Sequence, residues 1–395
     1  MKLNLNYLAD QFVFFNLKKI SYGHISIIAS NGNEYFFGDR KSNLQANLKI
    51  NSPSFSLKLL TSGSSGLGES YINNEFETDD LSSLIELSAR NINVTYKFSG
   101  FFQFFSLKNF INRKFLTNTK QRSKKNISLH YDLGNEFFST FLDKTLTYSC
   151  GIFNSPDETL EKAQVNKYNN LIELVKPKNG DKILEIGCGW GGFAEHVAKK
   201  YNVKVDCITI SKKQFLFTKE RIRRAKLVDK VNVKMMDYRD VSNKYDIIIS
   251  IEMIEAVGEK YLNKYFDIIK KNLTSGGRGA IQAIIIKDEL YNRYRSKEDF
   301  IQKYIFPGGF LPSFNSLNQL SEKSGLKIMN YELYGKHYSN TLQKWRESFL
   351  SSWDNISRQG FDASFKKMWD FYFSYCDAGF KSKNIDLIQF SLCNK

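Results

Sequence analysis

From Asp181 onward the chain alternates short apolar runs with stretches of helical spacing, and this alternation constrains the fold more than any other feature of the sequence. The runs DKILEIG, VKVDCITI, VNVKMM, YDIIIS and RGAIQAIII read as strands, with helices expected from Gly192, Lys212 and Lys260 and further elements near residues 326–342. Repeated strand and helix units with apolar strands predict an α/β fold, a doubly wound, mostly parallel, Rossmann-like sheet. Such sheets bind ligands beyond the carboxyl ends of their strands, so function is sought in the turns that follow them.

The first of those turns is Glu185-Ile-Gly-Cys-Gly-Trp-Gly-Gly192, which follows a strand and opens a helix. Gly187, Gly189 and Gly191 let the backbone turn tightly and approach a nucleotide-like ligand; a purely structural Gly-rich turn is the plain alternative. The acid stands before the glycines, whereas the phosphate-gripping fingerprint of dinucleotide enzymes places its acid about 20 residues further on. The amide end of the helix suits a carboxylate, and Glu185 is placed to order the loop.

The string LEIGCGWG resembles the first motif of class I methyltransferases, whose cofactor is S-adenosylmethionine. The second strand ends in Thr209-Ile-Ser-Lys-Lys-Gln214, where a typical member of that class has an acid for the ribose hydroxyls; cyclopropane fatty acid synthases and the related mycolic acid cyclopropane synthases carry a similar T-x-S-x-x-Q. Resemblance to that family runs through residues 127–395. It is carried, in family order, by His130-Tyr-Asp-Leu-Gly-Asn135, Leu146-Thr-Tyr-Ser-Cys150, Glu252-Met-Ile-Glu-Ala-Val-Gly258 and Lys303-Tyr-Ile-Phe-Pro-Gly-Gly309 with Leu311-Pro-Ser313. His337-Tyr338 before Thr341-Leu342 and Trp345, and Tyr375-Cys376-Asp-Ala-Gly-Phe380, complete it. The resemblance implies transfer of a methylene group from S-adenosylmethionine to the double bond of an unsaturated acyl chain in a membrane phospholipid. It assigns Tyr148, Ser149, Glu185, the three glycines, Thr209, Ile210, Gln214, Asp237, Tyr238 and Ile251 to the cofactor.

The chemistry sets its own demands. An alkene is a weak nucleophile, so alignment in a dry site and stabilisation of a developing carbocation must lower the barrier. Closing the ring then needs a base to take a proton from the transferred methyl. Aromatic faces stabilise a cation where a nucleophilic side chain would be alkylated. The family resemblance implies a bound bicarbonate as anion and base, held by Cys150, Glu255, Gln282 and Tyr338, with Ile284 as a backbone contact. Gln282 stands where bacterial members commonly have His, and Ala256 where they have another; plant-type synthases share both departures. Gln282 can still donate from its amide nitrogen, though it cannot take up a proton. Cys150 is read as a site residue and not as a nucleophile; Glu255 as a helix cap, and His130 and His337 as structural residues, are the bland alternatives.

Ahead of this block, residues 1–100 read as a small α+β domain, with a hairpin around Asn31-Gly32, strand-like text to Leu60 and helical spacing from Glu69 to Leu87. Residues 101–126 form a linker or membrane-contact segment in which Phe101, Phe104, Ile111 and Phe115 share one helical face among basic residues, without an acid. The catalytic domain is expected over residues 127–395. With 57 Lys plus Arg against 41 Asp plus Glu, the net charge of +16 favours an anionic partner, although a Lys- and Asn-rich composition also follows from genome bias. No nucleic-acid module accompanies the charge, so an anionic membrane surface is the expected partner and nucleic acid is not. A homodimer stays open. Five cysteines without CxxC pairing argue against a disulfide framework, and no apolar run approaches about 18 residues, which together suit a cytoplasmic protein peripheral to the inner face of a membrane. The rival readings are a lipid methyltransferase making methyl- or methylene-branched chains, a non-catalytic lipid-binding protein with a relict methyltransferase fold, and an RNA methyltransferase.

Overall fold

The computed structural model describes residues 5–100, 118–123, 126 and 133–395, the side chains of 97–100 excepted. Most of the basic aromatic segment, and His130 with the two residues after it, lie outside the described residues. The chain forms two compact units.

The first unit holds the N-terminal residues together with Ser296–Ile305 and Trp353–Asn384. Its sheet has the order β2-β1-β3-β4, with β1 His24–Ile28, β2 Glu34–Gly38, β3 Gln45–Ile50 and β4 Phe76–Glu77. The expected hairpin is present: β1 and β2 pair antiparallel, and Gly32 supplies the left-handed turn residue at φ 85°. Beyond Ile50 the chain departs from the strand-like reading and forms the helix Phe55–Ile72, which is kinked at Gly63, where the backbone leaves the helical region at φ 56°. That helix buries Ser56, Ser65, Gly66 and Gly68 beside Phe55 and Leu60, so its packed face is made of small residues that no apolar periodicity announces. The helical spacing expected to Leu87 is interrupted by β4. A new helix, Leu81–Arg90, starts at Asp80, whose carboxylate accepts from the amides of Ser82 and Ser83. Two stretches of the expected catalytic block pack here because the ring of Phe300 lies where a side chain on Gly68 would be and meets Phe371 at 4.5 Å between centroids.

The second unit holds the site. Its sheet has the order β10-β11-β9-β8-β5-β6-β7, formed by β5 Lys182–Ile186, β6 Lys204–Thr209, β7 Val231–Met235, β8 Tyr245–Ile251, β9 Leu273–Ile286, β10 Leu326–Leu333 and β11 Ile385–Asn394. Strands β7, β6, β5, β8 and β9 are parallel, and β11 runs antiparallel to both β9 and β10. Consecutive residues serve opposite faces: Ile247 and Ile249 join Leu171, Val197 and Ile222 on one side, while Ile248 joins Leu184, Phe266 and Leu317 on the other. From β5 the chain winds outward to β6 and β7 and then returns to place β8 on the other side. The strand order therefore reverses between β5 and β8, and their carboxyl ends form the crevice that such sheets use for ligands.

Candidate active site

The turn after β5 is a left-handed loop. Gly187, Gly189 and Gly191 have φ of 83°, 51° and 83°, and the amides of Gly187 and Cys188 both reach the carbonyl of Ile208 on β6, at 3.0 Å. The three glycines are not equivalent. A Cβ on Gly187 would strike Met253 at 2.7 Å and one on Gly191 would strike Thr218 at 2.5 Å, whereas one on Gly189 would meet nothing within 4 Å. Gly187 and Gly191 are thus demanded by packing, and Gly189 presents bare backbone to open space, as a cofactor-binding turn requires. Glu185 is 3% exposed beneath the loop and bonds the amide of Ala194 in the helix Gly192–Lys200. Burial pushes its carboxyl up to about 8.

The other positions that the resemblance assigns to the cofactor have these surroundings. The Thr209 hydroxyl donates to Gln214 Oε1 at 2.8 Å and accepts from the Ser211 amide at 3.2 Å, while Ser211 caps the helix Lys212–Arg224. The T-x-S-x-x-Q string is therefore a capping device that orients Gln214. Ile210 and Ile251 sit at the carboxyl ends of β6 and β8, both partly buried. Asp237 gives both oxygens to Arg239, at 2.8 and 2.7 Å, and the Tyr238 ring packs edge-on against Tyr265. Tyr148 lies among Phe138, Trp345 and Phe306 at 5.3, 5.2 and 6.3 Å, and the Trp190 indole reaches Asn135 at 2.8 Å. These rings make an aromatic wall of the kind a sulfonium or carbocation needs.

At the carboxyl ends of β8 and β9 the polar residues converge on a group that the sequence reading quoted but did not single out, Glu252. Its Oε1 accepts from the Cys150 amide at 2.9 Å and from Gln282 Nε2 at 2.7 Å, and its Oε2 accepts from the Tyr338 hydroxyl at 2.6 Å. Gln282 is oriented by Gln389 on the neighbouring strand, whose Nε2 donates to Gln282 Oε1 at 2.7 Å; the register pairs these two residues directly. Glu255 turns away to the amide of Ile284, at 2.5 Å, and its other oxygen has no hydrogen-bond partner. Cys150, fully buried, has its thiol pushed well up by burial, which disfavours the thiolate a nucleophile would need. Lys167, also fully buried, donates to Ser149 Oγ and Gln164 Oε1 at 2.6 Å each. Burial brings its ammonium down to about 8, against the pull of Glu252 and other nearby anions. His337 accepts from the Phe153 amide at 3.1 Å, a structural use of its ring.

Of the five residues that the resemblance gives to bicarbonate, Cys150, Gln282 and Tyr338 do come together, but their donors are engaged by Glu252, and Glu255 and Ile284 are bonded to each other. Bicarbonate does not fit that arrangement. The signal that points to Glu252 is its place at the carboxyl end of a strand beside the topological switch. Lys167 and Gln164, one turn apart on the helix Leu160–Val175, carry no motif at all.

Residues 118–390 match the family model for mycolic acid cyclopropane synthetase. The cyclopropane-fatty-acyl-phospholipid synthase of Escherichia coli is 33% identical over 348 residues, covering 87% of each chain. The tuberculostearic acid methyltransferase UfaA1 of Mycobacterium tuberculosis is also 33% identical, over 83% of this chain and 78% of its own. Among solved structures, the mycolic acid cyclopropane synthase CmaA1 complexed with SAH and CTAB superposes with a TM-score of 0.65 at 26% identity, covering 69% of this chain and 98% of that one. The chain is a member of the mycolic acid cyclopropane synthetase family, with that family's class I methyltransferase fold.

Proposed function

We propose that this protein is a cyclopropane-fatty-acyl-phospholipid synthase, which uses S-adenosylmethionine to add a methylene group across the double bond of an unsaturated phospholipid acyl chain. The observation that carries the reading is the pairing of a bare-backbone glycine loop after β5 with a buried, hydrogen-bonded carboxylate after β8, on either side of the switch point. The loop and Glu185 hold the cofactor, which supplies the electrophilic methyl when bound. The aromatic wall around Tyr148 excludes water and stabilises positive charge, and the carboxylate cluster handles the proton.

A methyl-branching activity is the second reading, favoured by the equal identity to UfaA1, which bears the name of a methyltransferase. Ring and methylene-branched chain are isomers, so the test is proton NMR of lipid treated with enzyme and cofactor. Upfield ring-methylene signals are expected; isomeric products with olefinic protons and no such signals would move the assignment to branching.

The substrate lies in a bilayer, and among the described residues no helix is long and apolar enough to cross one. We infer that the protein works from the membrane surface as a peripheral enzyme. Supporting this, the helix Leu5–Leu17 exposes Leu5, Leu8 and Phe15, followed by exposed Lys18 and Lys19. Apolar side chains flanked by cations suit an anionic headgroup layer, and the basic aromatic segment 101–126 has the same chemistry. Replacing Lys18 and Lys19 by Gln should weaken co-sedimentation with anionic vesicles by roughly tenfold or more, at about 1 kcal/mol for each lysine near the surface. Unchanged sedimentation would show that this helix faces something other than lipid.

A further inference from the structure

Glu252 sits where a small planar anion would be bound. Its two oxygens receive the Cys150 amide, Gln282 Nε2 and the Tyr338 hydroxyl at 2.9, 2.7 and 2.6 Å, a set of donors that would equally hold bicarbonate or formate. The chain supplies the carboxylate covalently instead. The backbone is bent to deliver it: Glu252 has φ 47°, and its amide is held by the carbonyl of Gln282 at 2.8 Å. A left-handed conformation costs a residue with a Cβ roughly 1–2 kcal/mol, and such strain collects at functional positions. The cofactor loop is adjacent, since Met253, the next residue, is the side chain that excludes a Cβ from Gly187.

We propose that Glu252 is the general base of this enzyme, taking the proton from the transferred methyl group in place of a bound bicarbonate. The inference rests on the S-adenosylmethionine-dependent lipid reading above. In the first step the π pair of the alkene forms a bond to the methyl carbon as the carbon–sulfur bond breaks, leaving a carbocation on the neighbouring chain carbon. In the second, Glu252 takes a proton from that methyl, and the C–H pair closes the ring onto the cationic carbon. The protonated Glu252 then gives its proton to water before the next turnover.

The groups facing Glu252 divide the roles. Burial raises its carboxyl above the usual range, while Tyr338, the Cys150 amide, Lys167 and Gln282 pull it back. Glu255 is met only by backbone amides, those of Ile284 and of Glu255 itself, and burial together with the charge on Glu252 pushes it up to about 8. Two neighbouring carboxyls with unequal donors separate into an anion and an acid, Glu252 being the anion.

The test uses the full chain, monounsaturated phospholipid vesicles and S-adenosylmethionine, with ring formation read by proton NMR. Wild-type enzyme in carbonate-free buffer should turn over as fast as with added bicarbonate. Glu252→Gln keeps the shape but not the base, and should lose roughly 10²–10⁴-fold in ring formation while still binding the cofactor by calorimetry. Glu252→Gly suits the left-handed backbone and empties the cradle, so bicarbonate or formate titrated into it should restore ring formation in proportion to the anion added. The assignment is overturned if wild-type turnover depends on bicarbonate, if Glu252→Gln keeps the wild-type rate, or if folded Glu252→Gly ignores both anions. In each of those cases the wild type still makes ring, and the lipid reading stands. A wild type that transfers no one-carbon unit to any unsaturated lipid would overturn that reading, and the base with it.

Discussion

Gly189→Leu will abolish measurable binding of S-adenosylmethionine in a protein that still folds. The expectation comes from the contrast among the three loop glycines. A side chain on Gly187 or Gly191 collides with Met253 or Thr218, so those variants would report on packing. One on Gly189 meets no protein atom within 4 Å and projects into the open space proposed for the cofactor. The fold has one cost to absorb, the left-handed φ of 51°, roughly 1–2 kcal/mol for a residue with a Cβ. That is a small shift in melting temperature for a chain of this length. The loss of affinity, by contrast, should be roughly 10²-fold or more, since a leucine side chain in the path of the ligand need cost only about 3 kcal/mol of binding to do that. Calorimetric titration beside a melting curve separates the two effects. Wild-type affinity in a folded Gly189→Leu protein would place the cofactor elsewhere.

How far this could be read from the sequence depends on whether a residue's task is local. A tight turn after a strand needs glycine at fixed spacing, so the left-handed loop after β5 was legible, and the apolar runs of β5 to β9 gave the parallel sheet directly. Cys150, Gln282 and Tyr338, far apart in sequence, were brought to one place as the family resemblance implied. What they hold was not legible. The task of Glu252 depends on a left-handed backbone and on donors from three other segments, and nothing in the string EMIEAVG distinguishes it from Glu255. The helix Phe55–Ile72 was missed for a related reason, because its buried face is Ser and Gly and its partner Phe300 arrives from more than 200 residues away.

Lys167 is the other group without a motif, and its replacement tests the electrostatics of the whole cluster. A fully buried ammonium bonded to Ser149 and Gln164, and near Glu252, Cys150, Glu185 and Asp143, has no solvent role. It compensates carboxylates that burial would otherwise neutralise. Lys167→Met removes one of the influences that lower the carboxyl of Glu252, so that carboxyl must rise. A base works only when deprotonated, and its rate falls as pH drops through its pKa. The acidic limb of kcat at saturating cofactor should therefore move toward neutral pH, on the order of one pH unit or more for a unit charge a few ångströms away in protein. The alkaline side changes too. In the wild type Lys167 gives up its proton at about 8, so its help fades above that pH, and an alkaline limb there should vanish in Lys167→Met. The stability effect has the same sign logic: leaving a buried carboxylate uncompensated costs about 3–5 kcal/mol when it is ionised, and less when low pH lets it take a proton. The variant should accordingly melt closer to wild type at pH 5.5 than at pH 8. If Lys167→Met lowers kcat evenly at every pH and leaves both limbs in place, Lys167 only packs, and the charge on Glu252 is set by Tyr338, Gln282 and the Cys150 amide without it.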